Sequence, residues 1–136
     1  MRRTKAFTLA EILTVVMIIG LIAAIAVPQV SRAARQGRDN ALRANLSAVR
    51  AAVSSCYQDT GAYPAQLADL AQPTAPSSGV SSSGASRSIT ASDWRGPYLP
   101  SVPTDPVSGA ALSYSNGVVS SSASGTDLSG SPYSGY

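Results

Sequence analysis

Histidine is absent from the 136 residues, cysteine occurs once, and charged side chains make up only 12%. Without histidine there is no Ser-His or Cys-His nucleophile pair, and with one cysteine there is no zinc site built on thiolates. Cys56 has no partner for an intrachain disulfide. Its expected place is a small apolar position on a helix face. The seven acidic residues are scattered singly, so no carboxylate pair can be placed for acid–base work. The glycines lie among serines, and none forms a phosphate-cradling loop. The six tyrosines and one tryptophan follow no regular spacing. No enzyme is expected from this inventory.

The formal charge of +3 comes from the first five residues, where Arg2, Arg3 and Lys5 stand. The remaining basic and acidic residues balance, so nothing points to nucleic-acid recognition. A basic start before an apolar run is a topology signal that holds the N-terminus in the cytoplasm.

That run is "KAFTLAEILTVVMIIGLIAAIAVP". From Phe7 to Val27 it would span about 31 Å as a helix, close to the hydrocarbon thickness of a bilayer. Its exceptions are Thr8, Glu11, Thr14 and Gly20. Glu11 is the costly one, at roughly 2.5–3.5 kcal/mol for a charge within a span. A plain membrane anchor leaves Glu11 unexplained. So does an export signal cut after Ala24-Ile25-Ala26, which would release a soluble binding domain starting at Val27.

Ala6-Phe7-Thr8-Leu9-Ala10-Glu11 resembles the N-terminus of type IV pilins and of the pseudopilins of type II secretion. Membership would imply a leader of residues 1–6, cleavage between Ala6 and Phe7 by a prepilin peptidase, and N-methylation of Phe7. Ala6 departs from the glycine usual before the cut. The family further implies that the Phe7 amine of one subunit meets Glu11 of a neighbour. Such a head-to-tail contact propagates into an open helical filament. Gly20 and Pro28 match the glycine and proline between which the family's helix can lose helicity on assembly. Pro28 is expected to break or kink the helix.

Beyond Ser31 the pattern is helical to about Tyr57. Leu42, Leu46, Val49, Val53 and Cys56 make one stripe. Val30, Ala33, Gly37, Ala41, Ala44, Ala48, Ala51 and Ala52 make a second, small-residue stripe. Arg32, Arg35, Asp39, Arg43 and Arg50 form a charged edge, read either as a solvated face or as inter-subunit ion pairs, with Asp39 four residues from Arg35 and from Arg43. Residues 7 to 57 as one helix would be about 76 Å long, more than a compact domain of this size requires.

The remainder reads as a small head. Gly61 to Pro64 stop the helix, and Pro64 is expected to open a short helix through Ala71. Residues 72–92 are expected to be a loop with too little apolar content to pack. Asn116-Gly117 predicts a hairpin, and the tail from Ser120 is expected to be loosely ordered. Tyr63, Trp94, Tyr98 and Leu99 are the candidate head core. Gly61-x-Tyr63-Pro64, Trp94-x-Gly96-Pro97-Tyr98-Leu99 and Val102-Pro103-x-Asp105-Pro106 follow the order seen in major pseudopilins. The chain departs from that pattern at Val107 and in its tail, which lacks the acidic calcium loop of the secretion members. Asp105 and Asp127, with Asn116, are the oxygen donors left for a calcium ion, which takes six to eight. No other cofactor is expected.

The expectation is an α+β pilin-like chain. Its segments are a leader (1–6), a transmembrane and filament-core helix (7–30), an amphipathic helix (31–57) and a β head (58–136). It would be a homo-oligomeric filament subunit, a single-pass membrane protein before assembly, and a partner of inner-membrane assembly machinery. A surface type IV pilus is preferred over a periplasmic type II secretion pseudopilus because the tail is poor in acid and rich in serine.

Overall fold

The computed structural model describes residues 8–136, so Ala6 and Phe7, with the expected cut between them, lie outside the described residues. One long helix, α1 (Leu9–Thr60), is followed by five short strands and two 3-10 turns. This is the expected α+β order, a long N-terminal helix and then small antiparallel sheets. The chain divides into two units, Met1–Gly37 and Arg38–Tyr136.

In the first unit every described residue is exposed. Leu9, Met17, Leu21 and Val30 are each more than two-thirds exposed. α1 stays helical through Gly20 and Pro28. The expected break at Pro28 is absent: proline forfeits one bond, to the carbonyl of Ala24, and the turns on either side persist.

In the second unit the larger stripe of α1 is the spine of the core. Leu42, Leu46, Val49, Val53 and Cys56 are at most 3% exposed. They pack with Leu67, Leu70, Leu112, Val119, Ala123 and Tyr133. Ala52 leaves the expected small-residue stripe and joins this core, whereas Ala41, Ala44, Ala48 and Ala51 are exposed. At 100° per residue Ala52 falls between the two stripes, and the core takes it. The helix ends where Gly61 turns to φ +67 and donates its N–H to the Tyr57 carbonyl.

Pro64 does not open a helix. It lies in β1 (Tyr63–Pro64), which pairs with β2 (Ser78–Val80), which pairs in turn with β3 (Ser86–Ser88). The helical turn comes later, at Leu67–Ala71, where Asp69 accepts from both the backbone and the side chain of Gln66. The segment 72–92 is therefore not an unpacked loop. A Cβ at Gly79 would stand 2.3 Å from the Tyr63 carbonyl, so glycine is what lets β2 lie against β1. Ile89 supplies an apolar anchor at 8% exposure. Arg87 donates to the Gly61 carbonyl and ties β3 to the end of α1.

The predicted hairpin is present as β4 (Ser113–Ser115) and β5 (Val118–Ser120), with Asn116 and Gly117 at φ 47 and 83. The tail is built in. Ser121, Ala123, Asp127 and Tyr133 are buried, and a bridge joins Thr126 to Pro132.

Candidate functional site

At the start of α1, Glu11 Oε2 accepts hydrogen bonds from the Thr8 N–H at 2.8 Å and from Thr8 Oγ1 at 3.1 Å. Thr8 Oγ1 accepts in return from the Glu11 N–H at 3.3 Å. Thr8 is thus the N-cap and Glu11 the third helical residue of a capping box. The negative carboxylate also lies at the positive end of the helix dipole. The Thr8-x-x-Glu11 spacing carries the signal of such a box in the sequence itself. A cap contributes about 0.5–2 kcal/mol, less than the roughly 2.5–3.5 kcal/mol cost of a charge within a span. The polar group of Thr14 is satisfied within the helix, its hydroxyl donating to the Ala10 carbonyl at 2.8 Å. Nothing lies within 4 Å of a Cβ built at Gly20.

In the head, Tyr63, Trp94, Tyr98 and Leu99 are partly buried against the core. Tyr57 stacks on Tyr63 at 4.5 Å between ring centres, and Trp94 meets Tyr98 edge to face at 5.0 Å. A Cβ at Gly96 would stand 2.6 Å from the Trp94 ring, which accounts for glycine in Trp94-x-Gly96. The Leu70 carbonyl accepts from the N–H groups of Tyr98 and Leu99. Tyr98 donates its hydroxyl to Asp59 at 2.9 Å. Burial, helped by that carboxylate, pushes Tyr98 up to about 12. Burial likewise pushes Tyr114 up to about 12, and its hydroxyl donates to the Pro64 carbonyl.

Two carboxylates organise the loops and tail. Asp105 accepts from the N–H groups of Val107 and Ser108 through one oxygen, and from Ser121 Oγ and the Ser122 N–H through the other. Burial alone would raise its pKa, but these donors together hold it below the usual carboxylate range. Asp127 accepts from the Tyr136 hydroxyl, the Ser129 hydroxyl and N–H, the Ser131 N–H and the Arg43 guanidinium at 2.8 Å. Tyr136 first, then Ser129, holds it well below the ordinary value.

Both carboxylates point their lone pairs at N–H and O–H groups, whose positive ends repel a cation, and Arg43 already stands at Asp127. Among the described residues no group of three or more metal-ligating side chains comes together. Asp105 and Asp127 thus act in this structure as hydrogen-bond acceptors for the loops and tail.

Part of the charged edge of α1 turns to the head, while Arg32 and Arg35 are exposed. Arg43 turns to Asp127, and Arg50 donates twice to the Val119 carbonyl, at 2.8 and 3.1 Å. Asp39 pairs with neither Arg35 nor Arg43; it is 7% exposed and accepts from the Tyr133 hydroxyl at 2.7 Å. Arg43, Arg50 and Asp39 thus hold the head's own strands and tail. Their partners lie 69 to 94 residues away, beyond any local sequence signal.

No protein-family model matches the chain, and no solved structure matches it. Over 63 residues it is 38% identical to the Type II secretion system core protein G of Pseudomonas aeruginosa. The match takes in 46% of this chain and spans 44% of that relative, less than half its length. With an exposed apolar helix start long enough to cross a membrane and a small antiparallel head, the chain is thus similar to a core protein of a bacterial secretion system.

Proposed function

We propose that this chain is a structural subunit of a filament of the type IV pilus kind, stored in the cytoplasmic membrane by its apolar helix and polymerised through that helix. The carrying observation is a helix start that is wholly exposed, apolar and capped by Thr8 and Glu11. In a lone subunit that surface needs lipid or protein to cover it. A prepilin peptidase cuts between Ala6 and Phe7 and methylates Phe7, and Glu11 then takes the new amine of a neighbour. Between the two filaments of this kind, the similarity to a secretion system core protein favours a periplasmic pseudopilus over a displayed pilus.

Glu11→Gln tests the role of the charge. Glutamine keeps the capping box but has no charge. Filaments sheared from cells or assembled in the periplasm should fall at least tenfold with Glu11→Gln while membrane levels of the subunit hold. Normal assembly by Glu11→Gln would reduce Glu11 to a cap.

A further inference from the structure

Three basic residues follow the apolar stretch of α1, and among the described residues none of them is in an ion pair. No acidic residue lies between Glu11 and Asp39, while Arg32, Arg35 and Arg38 follow the apolar stretch at three-residue spacing. All three are exposed. The ion pairs among the described residues are Arg43–Asp127 and Arg95–Asp59, so these three arginines have none. Asp39, the first acid after them, is occupied by Tyr133.

Arg43 and Arg50 show what this chain does with arginines that serve the head: each has a named acceptor. Arg32, Arg35 and Arg38 therefore need another account. Leu9 to Val30 is about 33 Å of helix, against a hydrocarbon layer of about 30 Å. Arg32 then falls at the far headgroup layer, with Arg35 and Arg38 one and two turns beyond it. Long basic side chains at such a position reach phosphates readily, and guanidinium groups bind phosphate bidentately. The far side of a span is also where basic residues are usually sparse, so three together there stand out.

We propose that Arg32, Arg35 and Arg38 bind the anionic phospholipid headgroups of the leaflet far from the N-terminus and hold the stored subunit at a set depth. This rests on the membrane-spanning reading above. It adds a step to assembly, because extraction must break these contacts. Removal of residues 1–6 would leave these three as the basic residues flanking the span.

The full-length chain is placed in nanodiscs of phosphatidylcholine with a minor share of phosphatidylglycerol. Lipids retained after partial delipidation are counted by native mass spectrometry. At about fivefold per basic residue, Arg32→Gln/Arg35→Gln/Arg38→Gln should lower the phosphatidylglycerol preference by fivefold or more. The matching lysine variant should restore most of it, and added salt should weaken it in the wild type. An unchanged preference in the glutamine variant overturns the proposal. So does an arginine dependence that appears only as self-association, which would make a second copy the occupant. Alkaline extraction is run in parallel. A wild-type chain that leaves the membrane there refutes the spanning reading itself, whereas one that stays while the glutamine variant keeps its lipid preference refutes only the headgroup contact.

Discussion

At the scale of single residues, Glu11 does two things with one side chain. Its carboxylate closes the first turn of α1 through Thr8, and its charge is what the proposed neighbour's amine would meet. Thr8 serves only the first of these, so it separates them. Thr8→Ala removes both hydroxyl contacts and should weaken the helix start by about 1 kcal/mol. In detergent micelles, amide exchange of residues 9–12 should quicken about fivefold while filament yield changes little. If Thr8→Ala stops assembly as fully as loss of Glu11, the cap rather than the charge governs docking. Thr8-x-x-Glu11 is legible in the sequence as a capping box, because both partners lie within one turn.

Among the elements, the head is held by short strands of two or three residues, too short to be stable by pairing alone. α1 supplies the apolar spine, and side chains on the loops supply the locks. Asp105 joins the 105–108 turn to residues 121 and 122, and Asp127 joins the tail to α1 through Arg43. Asp105→Ala would leave the buried Ser121 hydroxyl without its acceptor, at about 1–3 kcal/mol, would free the Val107, Ser108 and Ser122 N–H groups, and should lower the melting temperature of the head. Chelation by EDTA should leave it unchanged. The pH dependence follows from the shifts. Asp105 and Asp127 have pKa values depressed in the folded chain, so their contribution is present above the unfolded value of about 3.9 and is lost as pH falls below it. Tyr98 and Tyr114 are raised to about 12. Their contribution is complete below the unfolded value of about 10 and lost as pH rises beyond it. Thermal melts should be nearly flat between about pH 5 and pH 9 and should fall on both sides. A loss centred near pH 6 would show that other groups govern the head.

For the whole molecule, the two units face opposite demands. The described residues of one are all exposed, its apolar side chains included, and the other buries a continuous core. A soluble monomer would gain nothing from the first, but a subunit that passes from lipid to a filament interior needs it in both settings. The intact mass of the mature protein tests this. Expression with a prepilin peptidase should yield a chain that begins at Phe7 and carries one added methyl group. A chain that begins at Val27 would instead be a released head and would refute the filament reading. An uncut chain would leave Glu11 without a neighbouring amine and would refute the cleavage step.

Much of this was determined by the sequence alone, because its signals are local. The apolar run, the stripe from Leu42 to Cys56, the stop at Gly61 and the Asn116-Gly117 hairpin each depend on residues within a few positions of one another. The rest was decided by tertiary structure. Serine- and glycine-rich segments 72–92 and 120–136 looked unable to pack, since their own apolar content is small. They pack because groups outside them complete them: Tyr63 against Gly79, Asp105 on Ser121, and Arg43 on Asp127. Hydrogen bonds and one ion pair across dozens of residues replace the apolar burial that these segments lack. No pattern within the segments records which partner the fold will bring.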